Sequence, residues 1–148
     1  MADTLAPEWW FYHLSRTTLE QAAAPLMAKC LEAGWRVLAV SPNAERRAAL
    51  DAALWTYEDK SFLPHGQAEA PGLDAKRQPI LLSAKADNVN GAAALVLMDG
   101  VEVPVDAAYT RCMVMFDDGD SGARTRARAQ FKAAKDAGLV TRYFQQTP

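Results

Sequence analysis

The chain has 148 residues, enough for one domain with a real core. Half are hydrophobic and 23% are charged, the balance of a soluble globular protein, and no apolar run reaches membrane-spanning length. A net charge of −2 excludes bulk electrostatic affinity for nucleic acid, so any anion-binding site must be a local patch.

The opening MADTLAPEWWFYHL has no basic n-region, which argues against a signal peptide and for a cytoplasmic protein. Residues 9–14, an aromatic run after Pro7, read as a first strand. Residues 19–33 follow as a helix, with Leu19, Ala22, Ala23, Leu26, Cys30 and Ala33 at helical spacing. Pro25 within them requires a start near Gln21, with the proline in the first turn, or a kink. Gly34 stops this helix, and residues 35–40 (WRVLAV) form a buried strand. Ser41-Pro42-Asn43 is a turn that can cap a helix over residues 44–55, where Leu50 and Leu54 stand four apart. Residues 56–79 are irregular, with Pro64, Gly66, Pro71, Gly72 and Pro79, and a connection this long is usually functional or mobile. Residues 80–83 and 93–98 are short apolar runs, and residues 111–116 (RCMVMF) are another strand. Residues 120–137 make the strongest helix, ended by Gly138, and residues 139–144 a last strand. This alternation predicts one α/β domain over residues 1–148, a mostly parallel sheet flanked by helices. Cys30 and Cys112 lack CxxC spacing and sit in element interiors, as buried apolar thiols of a reducing cytosol do.

A fold of this kind invites a nucleotide-binding reading, but its phosphate loops are missing. Neither GxxxxGK[ST] nor GxGxxG follows a predicted strand, and the turn SPNAE offers a proline and no glycine. Lys85 after a strand could meet a phosphate, although a solvated loop lysine explains it more simply. His65, in SFLPHG, has no nucleophile motif beside it, and His13, within the aromatic strand, reads as structural or partly exposed. Neither histidine has a second metal ligand at a recognisable spacing. Asp117 and Asp118 occupy a strand end where magnesium can bind, but a polar strand end followed by Asp120 as helix cap accounts for them. The expectation is therefore a protein without catalytic residues, metal or cofactor.

One segment departs from the rest. Arg124, Arg126, Arg128, Lys132 and Lys135 fall within twelve residues without an acid, leaving eleven basic against eighteen acidic residues elsewhere. At about 100° per residue, Arg124, Arg128, Phe131, Lys132 and Lys135 share a sector of roughly 80–100°, while Arg126 points elsewhere. Ala123, Ala127, Ala134 and Ala137 form a small face suited to packing on a sheet. An exposed aromatic flanked by cations suits a peptide ending in an aromatic residue, with its free carboxylate and nearby aspartates. The plainer reading is a solvated basic face with Phe131 tucked under a loop. Direct binding of single-stranded nucleic acid by the same helix is a further alternative, for which one aromatic is a poor stacking platform.

The segment LDAALWTYEDKSFLPHG resembles the DNA polymerase III chi subunit family, in which a helix ending D-x-x-LW precedes SF-x-PH. RARAQFKAAKDAGL resembles that family's last helix, and FYHL and GWRVLAV fit in order and spacing, so the likeness covers nearly the whole chain. It implies a mononucleotide-binding-like (Rossmann-like) fold without a nucleotide site. It also implies a non-enzymatic replicase accessory protein that joins the psi subunit and the clamp loader. Such a protein grips the acidic, Pro-Phe-ending tail of single-stranded DNA-binding protein and meets nucleic acid only indirectly. Family tail-binding positions match Arg124, Arg128, Phe131, Lys132 and Lys135: Arg128 for the terminal carboxylate, Phe131 for the apolar pocket, the others for the aspartates. Trp55 and Phe62 match aromatics that meet psi or a repair helicase, with core packing the alternative. Asp117, on the pocket rim, Phe131 in a tyrosine-like position, and residues 67–78 depart from the family pattern.

Overall fold

The computed structural model of the protein describes residues 6–56, 64–68 and 70–146. The runs VLAV, ILLS and ALVL show no polar alternation, and all are buried throughout, as strands covered on both faces must be. Among the described residues the chain order is β1 (Glu8–Leu14), α1 (Leu19–Glu32), β2 (Val37–Val40), α2 (Ala44–Trp55), β3 (His65–Gln67), β4 (Ile80–Ser83), β5 (Ala94–Leu97), β6 (Arg111–Asp117), α3 (Ser121–Asp136) and β7 (Thr141–Gln145). The strands form one sheet, β3-β4-β2-β5-β6-β1-β7, and each described pairing is parallel. The expected α/β architecture is therefore present, as a fully parallel sheet flanked by helices. No helix among the described residues is long and apolar enough to cross a membrane.

Two departures have physical causes. The connection expected to be irregular contains β3, a three-residue strand (HGQ) too short for any periodicity to reveal. Its glycine lets the Leu73 and Gln78 side chains pack close, since a Cβ at Gly66 would lie 2.7 Å from the end of Leu73 and displace it. Thr18 and Gln21 form a capping box that starts α1 at Leu19, so Pro25 sits in the helix interior rather than its first turn. Two strands also shorten, residues 35–40 to Val37–Val40 and 93–98 to Ala94–Leu97.

Side chains on the two sheet faces build two cores. Met27, Leu50 and Leu54 from α1 and α2 pack with Met113 and Met115 on one face. On the other, Ala123, Ala127 and Ala134 of α3 pack with Trp9, Phe11, Cys112 and Phe116. The chain thus leaves β1 toward one face and neighbouring β6 toward the other, a switch point that opens a crevice at their carboxyl ends. A second switch lies between β2 and β5, and the chain's own polar groups fill it. Asp99 accepts from Ser41 Oγ at 2.6 Å and Arg46 Nε at 3.2 Å, and Arg46 reaches Glu20 at 2.8 Å. A carboxylate there repels a phosphate, which agrees with the missing phosphate loop.

Cys30 and Cys112 are both buried free thiols. Burial pushes both upward, Cys112 to about 12, and it likewise pushes Tyr12 to about 12 despite the opposing charge of Arg111. A group with a raised folded pKa loses its proton first in the unfolded chain, so it stabilises the fold below its ordinary value and less above it. Unfolding midpoints in urea should hold up to about pH 9, where free thiols begin to ionise, and fall steadily toward pH 12. Both thiols should resist alkylation of the native protein at neutral pH; rapid native labelling would show that the burial is wrong.

Candidate functional site: a cationic pocket at the sheet's carboxyl edge

Asp120 caps α3 by accepting from Ala123 N at 3.0 Å. Alanines along the buried side let the helix approach the sheet closely. Ala123, Ala127 and Ala134 lie on that side as expected, but Ala137 is exposed because the helix has ended and this residue is its C-cap. Gln130 takes the fourth buried place, its side-chain oxygen accepting from Val103 N at 3.2 Å.

Above this seam lies a pocket of about 230 Å³ at the first switch point. Arg124, Ala127, Arg128 and Phe131 form its helical side, and His13, Phe116 and Tyr143 its sheet side. Its size suits one side chain. Phe131 is half buried rather than exposed, meeting Phe11 edge-on at 5.2 Å and Tyr143 at 5.9 Å. Lys135 Nζ stands 5.5 Å from the Phe131 ring centre. Lys132 lies outside the pocket lining and pairs with Asp136 at 3.0 Å on the exposed surface. Arg126 points away, donating to Gly100 O at 3.2 Å. The expected cations thus separate into Arg124 and Arg128 in the pocket wall, Lys135 at the ring, and Lys132 beyond it.

The sheet side of the pocket escaped sequence reasoning. His13 is buried, with Nε2 2.6 Å from Asp118 Oδ1 and Nδ1 2.7 Å from the Tyr143 hydroxyl. Arg124 donates to Asp118 O at 3.3 Å, joining the helix to this chain of polar groups. The usable signal was strand alternation. Trp9, Phe11 and His13 face α3, and Phe11 pairs in register with Tyr143. Burial raises the Tyr143 hydroxyl pKa, Arg128 and Arg124 oppose this, and Asp118 adds to it. An Asp-His-hydroxyl chain invites comparison with a nucleophilic triad, but a phenol held in its protonated form is the wrong terminus for one.

The other candidates are tied into the fold. His65 is sealed, its Nε2 2.9 Å from Asp51. Asp117 is exposed and accepts from Gly119 N at 2.8 Å. Trp55, 58% exposed at the end of α2, meets His65 edge-on at 5.3 Å. Phe62 lies outside the described residues.

Fold and pocket together define a class: a doubly wound parallel α/β protein whose cavity pairs guanidinium groups with aromatic rings in place of a phosphate loop. The model of the family described as "DNA polymerase III chi subunit, HolC" matches residues 7–142, and the chain belongs to that family. It is 28% identical over 92 residues to the "Probable DNA polymerase III subunit chi" of Rickettsia prowazekii (strain Madrid E), covering 62% of this chain and 54% of that one. The chain thus spans about half the length of the curated relative it matches.

Proposed function

We propose that the protein is a cytoplasmic, non-catalytic accessory subunit of the bacterial replicase, working as one domain without a cofactor. It links the clamp loader to single-stranded DNA-binding protein by gripping that protein's acidic tail. The observation that carries this reading is the pocket that sets Arg124 and Arg128 beside the Phe131 ring. A terminal carboxylate pairs with Arg128, a terminal aromatic ring enters against Phe131, and upstream aspartates meet Arg124, Lys132 and Lys135. Trp55, with Phe62, would carry the second contact, to a psi subunit or a repair helicase. An exposed tryptophan at a helix end suits an interface anchor.

An acidic peptide ending in Pro-Phe should bind with micromolar affinity in fluorescence anisotropy, weakening as salt rises. Amidating its terminus should cost about 1.5–3 kcal/mol, the worth of a hydrogen bond to a charged group. Equal affinity for both peptides refutes the carboxylate contact. Tight binding to a bare single-stranded oligonucleotide, with a steep salt slope, would instead favour direct nucleic-acid binding.

A further inference from the structure

We infer that Tyr143 determines what the pocket accepts: its hydroxyl oxygen receives the last main-chain N–H of a peptide chain end, because His13 and Asp118 hold the hydroxyl proton turned inward. This rests on the preceding reading of the pocket as a receptor for a chain end. Asp118 sets the direction of these hydrogen bonds. An ionised carboxylate only accepts, so His13 Nε2, 2.6 Å away, carries the ring's hydrogen. In the neutral ring Nδ1 is then a lone pair, and the hydrogen in its 2.7 Å contact must come from the phenol. The buried His13 ring, packed on Phe116 at 4.8 Å, has little room to turn over. Burial also keeps the phenol protonated, against the pull of Arg128 and Arg124.

The Tyr143 oxygen therefore has only acceptor capacity left. That oxygen belongs to a residue 47% exposed, on the sheet side of the same pocket whose helical side carries the two guanidinium groups. The pocket so presents donors for an anion and, next to them, one acceptor. A sulfate ion, which has no hydrogen to donate, has nothing to offer that acceptor. A peptide chain end has a carboxylate and an N–H separated by a single carbon atom. In a tail ending Pro-Phe this N–H is the one main-chain donor of the last two residues, since proline has none.

The test compares the Pro-Phe-ending acidic peptide with its ester analogue, in which an oxygen replaces the last N–H, on wild-type protein and Tyr143→Phe. Wild-type protein should bind the ester about five- to tenfold more weakly, the range of one net hydrogen bond. Tyr143→Phe should lose about the same factor for the normal peptide and cease to distinguish the two. Wild-type protein that binds both peptides equally overturns the inference, as does a Tyr143→Phe protein that keeps the distinction. Ring-nitrogen NMR of His13 in unliganded wild-type protein checks the donor direction independently, even if the variant does not fold. Hydrogen on Nε2 alone is expected at neutral pH; hydrogen on Nδ1 turns the phenol into a donor and overturns the inference. A wild-type protein that binds neither peptide sinks the chain-end reading itself, while the ring-nitrogen spectrum still decides which way the hydroxyl points.

Discussion

Replacing Phe11 by alanine is expected to destabilise the protein by about 3–5 kcal/mol, the cost of removing a large buried ring. Phe11 is wholly buried in the middle of β1, stacks on Trp9 at 6.2 Å and meets Phe131 edge-on at 5.2 Å. It joins the sheet to α3 and is also the floor on which Phe131 rests. The alanines of α3 have no side-chain length with which to fill the gap, so little collapse can offset the cavity. In a chain of this size each kcal/mol lowers the melting temperature by about 2–4 °C, so thermal and urea unfolding will both read the effect. Peptide binding should weaken as well in whatever fraction remains folded, because Phe131 loses its support. A stability loss below about 1 kcal/mol would mean that Phe11 is not the seam between sheet and helix.

The sequence made legible whatever depends on neighbours close along the chain. Thr18, Asn43 and Asp120 accept from backbone N–H groups at the starts of the three helices. Gly34 and Gly138, at φ 82° and 76°, end α1 and α3 in a conformation that favours glycine. A 3.6-residue period likewise placed Arg124, Arg128 and Phe131 on one side of α3. Features joining remote segments were hidden. His13 and Tyr143 are 130 residues apart and meet only because β1 and β7 pair in parallel register. The same register puts Phe11 and Tyr143 around Phe131, which is why the ring is half buried although a helical wheel placed it among cations. Pairing also explains β3, whose three residues become a strand only beside β4.

The largest effect on binding is expected at Arg128. This side chain is exposed on α3 and lines the pocket close enough to Tyr143 to bias its ionisation. A guanidinium can hold a carboxylate through two parallel hydrogen bonds, whereas a lysine offers a point charge. Arg128→Lys should therefore retain part of the affinity. Arg128→Ala should lose about 1.5–3 kcal/mol, or roughly 10- to 150-fold. Arg124 cannot take over fully, because it is half buried and tied to Asp118 O at 3.3 Å. Arg128→Glu adds repulsion between like charges, worth several kcal/mol more, and should move a micromolar complex beyond detection. None of these changes touches the core, so unfolding midpoints should stay within about 0.5 kcal/mol of wild type. Salt then separates the charge effect from any loss of shape. Raising ionic strength should weaken the wild-type complex more than the Arg128→Ala complex, since the variant has one fewer cation to screen. A charge-reversed variant that binds as wild type does would place the carboxylate elsewhere on the helix.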